Sequence, residues 1–230
     1  MLYDLLSALL RPTAWWGRLR VEGLDNVPDE GPLLLLPNHD SQWDPVLVAL
    51  AVKPKRRLRF LARASLWKTP IIGRLFLGPL LYGIGQIPIK RGAGDANALE
   101  EAIEALRSGA AVCVFPEGGL SWGEELRARS GVARLAQWCP GVQIVLCTVE
   151  GATDYVRFPR RPRVTVSFFT PASGDPQPGE EPPELASRLL REVRSRVAPV
   201  PAGRKGIVGG PPRVRRARAR RITGSRASRS

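Results

Sequence analysis

Histidine is almost missing from this chain: of 230 residues, only His39 carries an imidazole. Histidine acid–base chemistry near neutral pH therefore has a single candidate, and a site built from several histidine ligands is excluded. Cysteine is scarce as well. Cys113, Cys139 and Cys147 are odd in number and widely spaced, so a disulfide framework is not expected, and no CxxC or Cys/His spacing suggests a metal site. Cys113 and Cys147 fall in apolar, strand-like runs and read as small buried hydrophobes, which suits a reducing, cytosol-facing compartment. Long apolar runs are absent too. The longest candidate, 66–89, is interrupted by Lys68, Arg74 and repeated proline and glycine, which argues against a membrane span and for monotopic association. At the N-terminus Asp4 stands where a secretory leader would be basic, so no signal peptide is expected.

Acidic residues are missing from the last thirty positions. Residues 201–230 hold ten of the fourteen net positive charges, leaving a body of 25 basic and 21 acidic residues that is close to balanced. The high pI therefore describes a tail. Rich in Pro, Gly and Ser and without an aromatic residue, the tail cannot bury a core and is predicted to be disordered. Its composition fits an anionic-membrane tether, a nucleic-acid arm lacking any stacking platform, or a solubilising extension.

What is present is the alternation of an α/β protein. Strands are predicted at Leu33–Leu36, Leu58–Leu61, Gln86–Ile89, Ala111–Phe115, Gln143–Val149 and Val164–Phe169. Helices are predicted between them, at Pro45–Ala51, Leu66–Phe76, Asp95–Arg107, Glu124–Trp138 and Pro183–Val197. This order implies a mixed, largely parallel sheet flanked by helices. Asp44 and Asp95 are expected to cap helices, and Gly109 to close one. Ahead of this body, Leu2, Leu5, Leu6, Leu9 and Leu10 form a helical stripe opposite Asp4 and Ser7. Pro12 is expected to stop that helix, with Trp15 and Trp16 following among arginines. Such an amphipathic segment suits a helix lying in the membrane interface, or one packed on its own domain. The expected division is 1–20 for membrane association, 21–199 for the catalytic domain and 200–230 for the basic tail.

Three loops leave the scaffold with polar residues. The first holds Asn38, His39, Ser41 and Asp44 between a buried strand and a helix, where α/β proteins keep their chemistry. The second, Lys90-Arg91-Gly92, is a basic pair entering a glycine turn, suited to an anion such as phosphate. The third, Pro116-Glu117-Gly118-Gly119-Leu120-Ser121, follows another buried strand. Gly119-Leu120-Ser121-Trp122-Gly123 matches the nucleophile-elbow pentapeptide and offers a serine-hydrolase alternative. Against it, Ser121 lies well past the strand end, and the sole histidine precedes it rather than following.

Taken together and in order, the loops resemble the signatures of the glycerolipid acyltransferases, the family that includes the PlsC-like lysophosphatidic acid acyltransferases. Asn38-His39-x-Ser41-x-x-Asp44 resembles the first block, Gly85 to Arg91 the second and Phe115-Pro116-Glu117-Gly118 the third, with Arg129 to Ala136 resembling the helix that follows. The resemblance spans roughly 21–170. It implies His39 as general base and Asp44 as its orienting partner. It further implies Asn38, Ser41, Lys90, Arg91, Glu117, Gly118 and Ser121 about the substrates, Lys90 and Arg91 on the acceptor phosphate. No metal and no cofactor are implied, an acyl-CoA or acyl-carrier-protein thioester being co-substrate. The implied partners are a lysolipid acceptor and a membrane surface, not nucleic acid, at the cytoplasmic face. Leu120 stands where the third block usually carries arginine, so an acceptor without phosphate is the variant of this reading.

Overall fold

A computed structural model describes residues 2–65, 78–90, 96–121, 124, 126–157 and 159–200. The predicted helix 66–76, Arg91, the Asp95 cap and the tail lie outside the described residues. The chain runs α1 (Leu2–Trp16), β1 (Arg20–Glu22), β2 (Leu33–Pro37), α2 (Asp44–Val52), β3 (Leu58–Arg63), α3 (Gly78–Gly83), β4 (Ile87–Ile89), α4 (Ala96–Arg107), β5 (Ala111–Cys113), α5 (Gly131–Trp138), β6 (Gln143–Glu150), β7 (Thr165–Phe169) and α6 (Pro182–Ser195).

Seven strands form one sheet in the order β1-β7-β6-β2-β5-β3-β4. Every neighbouring pair is parallel except β6 with β7, so the sheet is mixed and largely parallel, as expected. The central strand β2 explains why its sequence is an unbroken leucine run: Leu33 to Leu36 are all sealed from solvent. Side chains alternate across a strand, so Leu33 and Leu35 join one core and Leu34 and Leu36 the other. On one face they meet Leu47, Val48, Ala51 and Val52 of α2. On the other they meet α4, α5 and α6, through Ala102, Leu106, Val132, Leu135, Leu185 and Leu189.

Several boundaries differ from the sequence reading. Pro12 does not stop α1, which continues to Trp16. A proline removes one ladder donor, but tertiary bonds hold the second half in place: Tyr155 donates to the Thr13 carbonyl at 2.6 Å, and Arg161 to the carbonyls of Trp15 and Trp16. The helix also turns the other way from a simple packed stripe. Ser7 is buried against the domain, whereas Leu5 and Leu9 are 59% and 68% exposed. The helix predicted from Glu124 begins only at Gly131, because the preceding segment is tied down as a loop by Arg129 N–H donating to Pro116 C=O at 2.8 Å. The short edge strand β1 escaped the pattern, being three residues with no buried position. Gly109 closes α4 as expected, in a left-handed turn (φ 83°), with the Ala110 amide reaching back to the Ala105 carbonyl. All three cysteines are buried and free. Among the described residues no helix is long and apolar enough to cross a membrane.

Candidate active site

Strands β2 and β5 are parallel neighbours, so the loops after them emerge at the same end of the sheet. Asn38 to Trp43 follows β2, and Val114 to Ser121 follows β5. Ligands of open α/β sheets bind at such carboxyl ends. The two loops are joined directly: the Ser121 amide donates to the His39 carbonyl at 2.8 Å.

Five residues along a regular helix would place two side chains about 140° apart. Here the chain turns before the helix begins, and the His39 ring meets the Asp44 carboxylate, Nδ1 to Oδ2, at 3.1 Å. The same oxygen accepts the Ser41 amide at 2.7 Å. Asp44 is therefore the first residue of α2 and not its cap; its side chain folds back over the loop, and Pro45 supplies the helical start. Asp44 is fully buried, and burial raises its carboxyl above the ordinary value, against the pull of His39 and Ser41. Its Oδ1 is a buried oxygen with no hydrogen-bond partner. The imidazole stacks on Phe115, with ring centroids 4.0 Å apart, and only 15% of its side chain reaches solvent. One face and the backbone of His39 are thus held by the loop after β5, and one nitrogen by α2.

Asn38 and Ser41 are turned inward. Asn38 Oδ1 accepts the Val149 amide at 2.7 Å and its Nδ2 donates to the Val149 carbonyl at 3.0 Å, so the carboxamide continues the β2–β6 pairing past Pro37. Ser41 Oγ donates to the Ala152 carbonyl at 3.2 Å and accepts the Trp43 amide.

The third loop is buried in a cluster that sequence reading did not foresee, because its cation comes from α6. Arg194 donates through Nε to Glu117 Oε1 at 2.7 Å and through Nη2 to the same oxygen. Its Nη1 and Nη2 reach Asp40 Oδ2 and Oδ1 at 2.8 Å and 3.0 Å, and Nη2 also reaches Ser121 Oγ at 2.8 Å. Ser121 in turn donates to Asp40. Burial acts to raise the Asp40 carboxyl, but the bonds from Arg194, Ser121 and Asn38 outweigh it and hold it below its ordinary value. Glu117 goes the other way: burial pushes it up to about 7 despite Arg194, and its Oε2 is buried without a partner. Gly118 is left-handed (φ 66°), and a Cβ there would meet Arg129 Cγ at 2.8 Å, so both conformation and space require glycine. Lys90 is exposed at the end of β4. The structure thus brings together Asn38, His39, Ser41, Asp44, Glu117, Gly118 and Ser121.

A family model described as Acyltransferase matches residues 18–150, more than half of the chain. The chain belongs to the acyltransferase family. It is similar to a 1-acyl-sn-glycerol-3-phosphate acyltransferase of Streptococcus pneumoniae, 28% identical over 176 residues that cover 74% of this chain and 62% of that protein. It is also similar to a lyso-ornithine lipid O-acyltransferase of Pseudomonas aeruginosa, 35% identical over 139 residues, 56% of this chain and 49% of that one. This acyltransferase-family chain therefore spans less than two thirds of the length of these curated relatives. In fold it resembles the crystal structure of the 1-acyl-sn-glycerophosphate acyltransferase PlsC from Thermotoga maritima. The TM-score is 0.54 at 24% identity, over 81% of this chain and 79% of that one. Arg194 lies outside the matched span, which is one reason no motif pointed to it. Its sequence signal is one of place: of the three arginines on α6, Arg194 falls four and eight residues after the buried Leu190 and Ala186.

Proposed function

We propose that the protein transfers a fatty acyl group from an acyl-CoA or acyl-carrier-protein thioester to a hydroxyl of a lysolipid, most simply 1-acyl-glycerol-3-phosphate. The observation that carries this reading is the His39–Asp44 pair, with a buried carboxylate 3.1 Å from Nδ1. With Nδ1–H donated to Asp44, Nε2 is the basic nitrogen. It takes the acceptor's hydroxyl proton as that oxygen attacks the thioester carbonyl carbon. The tetrahedral adduct then collapses, the C–S bond breaks, and the thiolate recovers the proton from the imidazolium. Asp44 fixes the tautomer and stabilises the imidazolium while it exists. No acyl-enzyme intermediate and no metal are invoked.

The remaining residues take supporting roles. Glu117 and Gly118 are assigned to the glycerol part of the acceptor, a role supported by the unpartnered Oε2 of Glu117. Lys90 and Arg91 meet the acceptor phosphate. Asn38 and Ser41 act by holding the loop, since their polar atoms are spent on Val149, Ala152 and Trp43. Leu2, Leu5 and Leu9 are exposed on one side of α1, and Trp15 is exposed further round the helix. Trp15 borders a groove also lined by Arg11, Arg18, Arg161 and a Lys53 paired with Asp4, basic on balance, and the exposed leucines and this groove together suit a peripheral dock on an anionic membrane.

Free-thiol release from long-chain acyl-CoA, in liposomes with and without lysophosphatidic acid, tests the reading. Acceptor-dependent release that vanishes in His39→Ala is expected. The 35% identity to the lyso-ornithine lipid enzyme supports a second acceptor, so a lyso-aminolipid is assayed alongside. Acceptor-independent release lost in Ser121→Ala but kept in His39→Ala would replace acyl transfer with serine hydrolysis. The hydrogen bonds of the Ser121 hydroxyl to Asp40 and Arg194 argue against that outcome.

A further inference from the structure

We infer that Arg194, on the last helix, is a positioning residue for the proposed transfer: its guanidinium locks the loop carrying His39 to the loop carrying Glu117. This rests on the acyl-transfer reading of the site. Asp40 directly follows His39, and both its oxygens are held by Arg194. Glu117, midway along the other loop, and Ser121 at its end are both held by the same guanidinium. Ser121 then closes the ring, through its amide on the His39 carbonyl and its hydroxyl on Asp40. One planar fork therefore touches the neighbour of the base and two points of the facing loop, Glu117 and Ser121.

The geometry also says what Arg194 does not do. Nε, Nη1 and Nη2 are all engaged by Asp40, Glu117 and Ser121. A substrate phosphate would have to displace those bonds, so Arg194 is not an anion anchor. Without it, the buried carboxyl groups of Asp40 and Glu117 would lose the guanidinium they share, and the two loops would be held mainly by Ser121 and the His39–Phe115 stack, a looser join. Lysine cannot substitute fully, because a single ammonium is a point charge and cannot span acceptors on two loops.

A purely architectural alternative must be separable: Arg194 could pin α6 to the sheet without affecting the base. His39 provides the reporter. As the sole histidine, it gives one imidazole resonance pair in the full-length protein after labelling with ¹⁵N-histidine. The measurement is the Nδ1 and Nε2 shifts of wild type and Arg194→Lys, with Tm and with kcat and KM per folded molecule. Misplacing a reacting group by about 1 Å costs on the order of 10²-fold, so Arg194→Ala should lose about that much kcat and Arg194→Lys about tenfold. In both, KM for the acyl donor should stay within about twofold, since the guanidinium touches no substrate. Millimolar guanidinium ion should restore part of the Arg194→Ala activity. The imidazole of Arg194→Lys should leave the single-tautomer shifts of the wild type and move toward averaged ones.

Unchanged imidazole shifts and an unchanged kcat per folded molecule, with only a lower Tm, would overturn the inference and leave a structural pin. Should Arg194→Lys not fold, Asp40→Asn reads the same contact from the other side, and an unmoved imidazole signal there overturns it equally. Failure of the acyl-transfer reading looks different. Wild type would then show no His39-dependent transfer, while the imidazole signal would still respond to Arg194→Lys.

Discussion

Replacing Asp44 by asparagine separates chemistry from folding. In the wild type, Oδ2 accepts from Ser41 N–H at 2.7 Å and from His39 Nδ1 at 3.1 Å, and Oδ1 has no partner. Asparagine with its oxygen at the Oδ2 position keeps both contacts but loses the charge that stabilises an imidazolium. Asparagine turned the other way sets an NH2 group against the Ser41 N–H and forces the wrong histidine tautomer. Either arrangement should lower kcat by about 10³–10⁴-fold, the scale seen when a triad aspartate becomes asparagine. Stability should barely move. Weakened hydrogen bonds cost about 1–2 kcal/mol, but the variant no longer buries a charge, so the net is expected within about 1 kcal/mol, or about 2–4 °C in Tm.

The pH dependence carries a sign. Burial raises the folded Asp44 carboxyl above its unfolded value of about 3.9. Wild type therefore loses stability as pH climbs from that value through the folded one, and Asp44→Asn lacks this loss. The Tm difference should move in the variant's favour from pH 4 upward. Calorimetry against pH, beside thiol release at saturating acyl-CoA, measures both. An Asp44→Asn enzyme retaining about a tenth or more of wild-type kcat would refute the tautomer argument. A Tm drop beyond about 8 °C would move the loss from chemistry to folding.

Gly118→Ala should cost about 1–2 kcal/mol from the left-handed backbone alone, before the collision with Arg129, and it should appear as a lower Tm with reduced turnover. Asn38→Ala strands the buried N–H and C=O of Val149, at about 1–3 kcal/mol for each group, and denaturant unfolding should show it. Glu117→Gln should flatten the stability profile at mildly acidic pH. The folded carboxyl titrates at about 7, above its ordinary value, so the wild type loses stability as pH rises toward 7 and the glutamine variant does not. Leu5→Glu with Leu9→Glu replaces exposed side chains and should leave Tm within about 2 °C. The pair should abolish flotation with anionic vesicles; unchanged flotation would remove α1 from the proposed membrane dock.

The sheet was legible because β2, β5 and β6 are apolar on both faces, and a run such as Leu33–Leu36, bounded by Gly31-Pro32 and Pro37, is too short for a buried helix. The His39–Asp44 approach was legible as a condition, since five residues close only if the helix has not yet begun, and Pro45 marks where it does. What could not be read were contacts between remote parts. Arg194 lies 154 residues from Asp40 in the chain, and nothing local to α6 says where its guanidinium goes. Residues 124–130 read as helix by composition, yet one backbone bond from Arg129 to Pro116 holds part of them in the site loop. Pro12 misled in the opposite sense, because tertiary bonds from Tyr155 and Arg161 support a helix that local rules would end.

The place of β2 in the sheet bears on when the protein can first become active. Leu33 pairs with Ala111 on one side and with Gln143 on the other, so the strand that delivers the imidazole is among the first made and among the last completed. A chain emerging from the ribosome carries His39 and Asp44 long before it holds the strands that set them in register, and longer still before α6 brings Arg194 to Asp40. Late, long-range closure of this kind is slow. The nascent chain should therefore stay silent toward thioesters until α6 has been made, and the site should come into being at the docking of that helix.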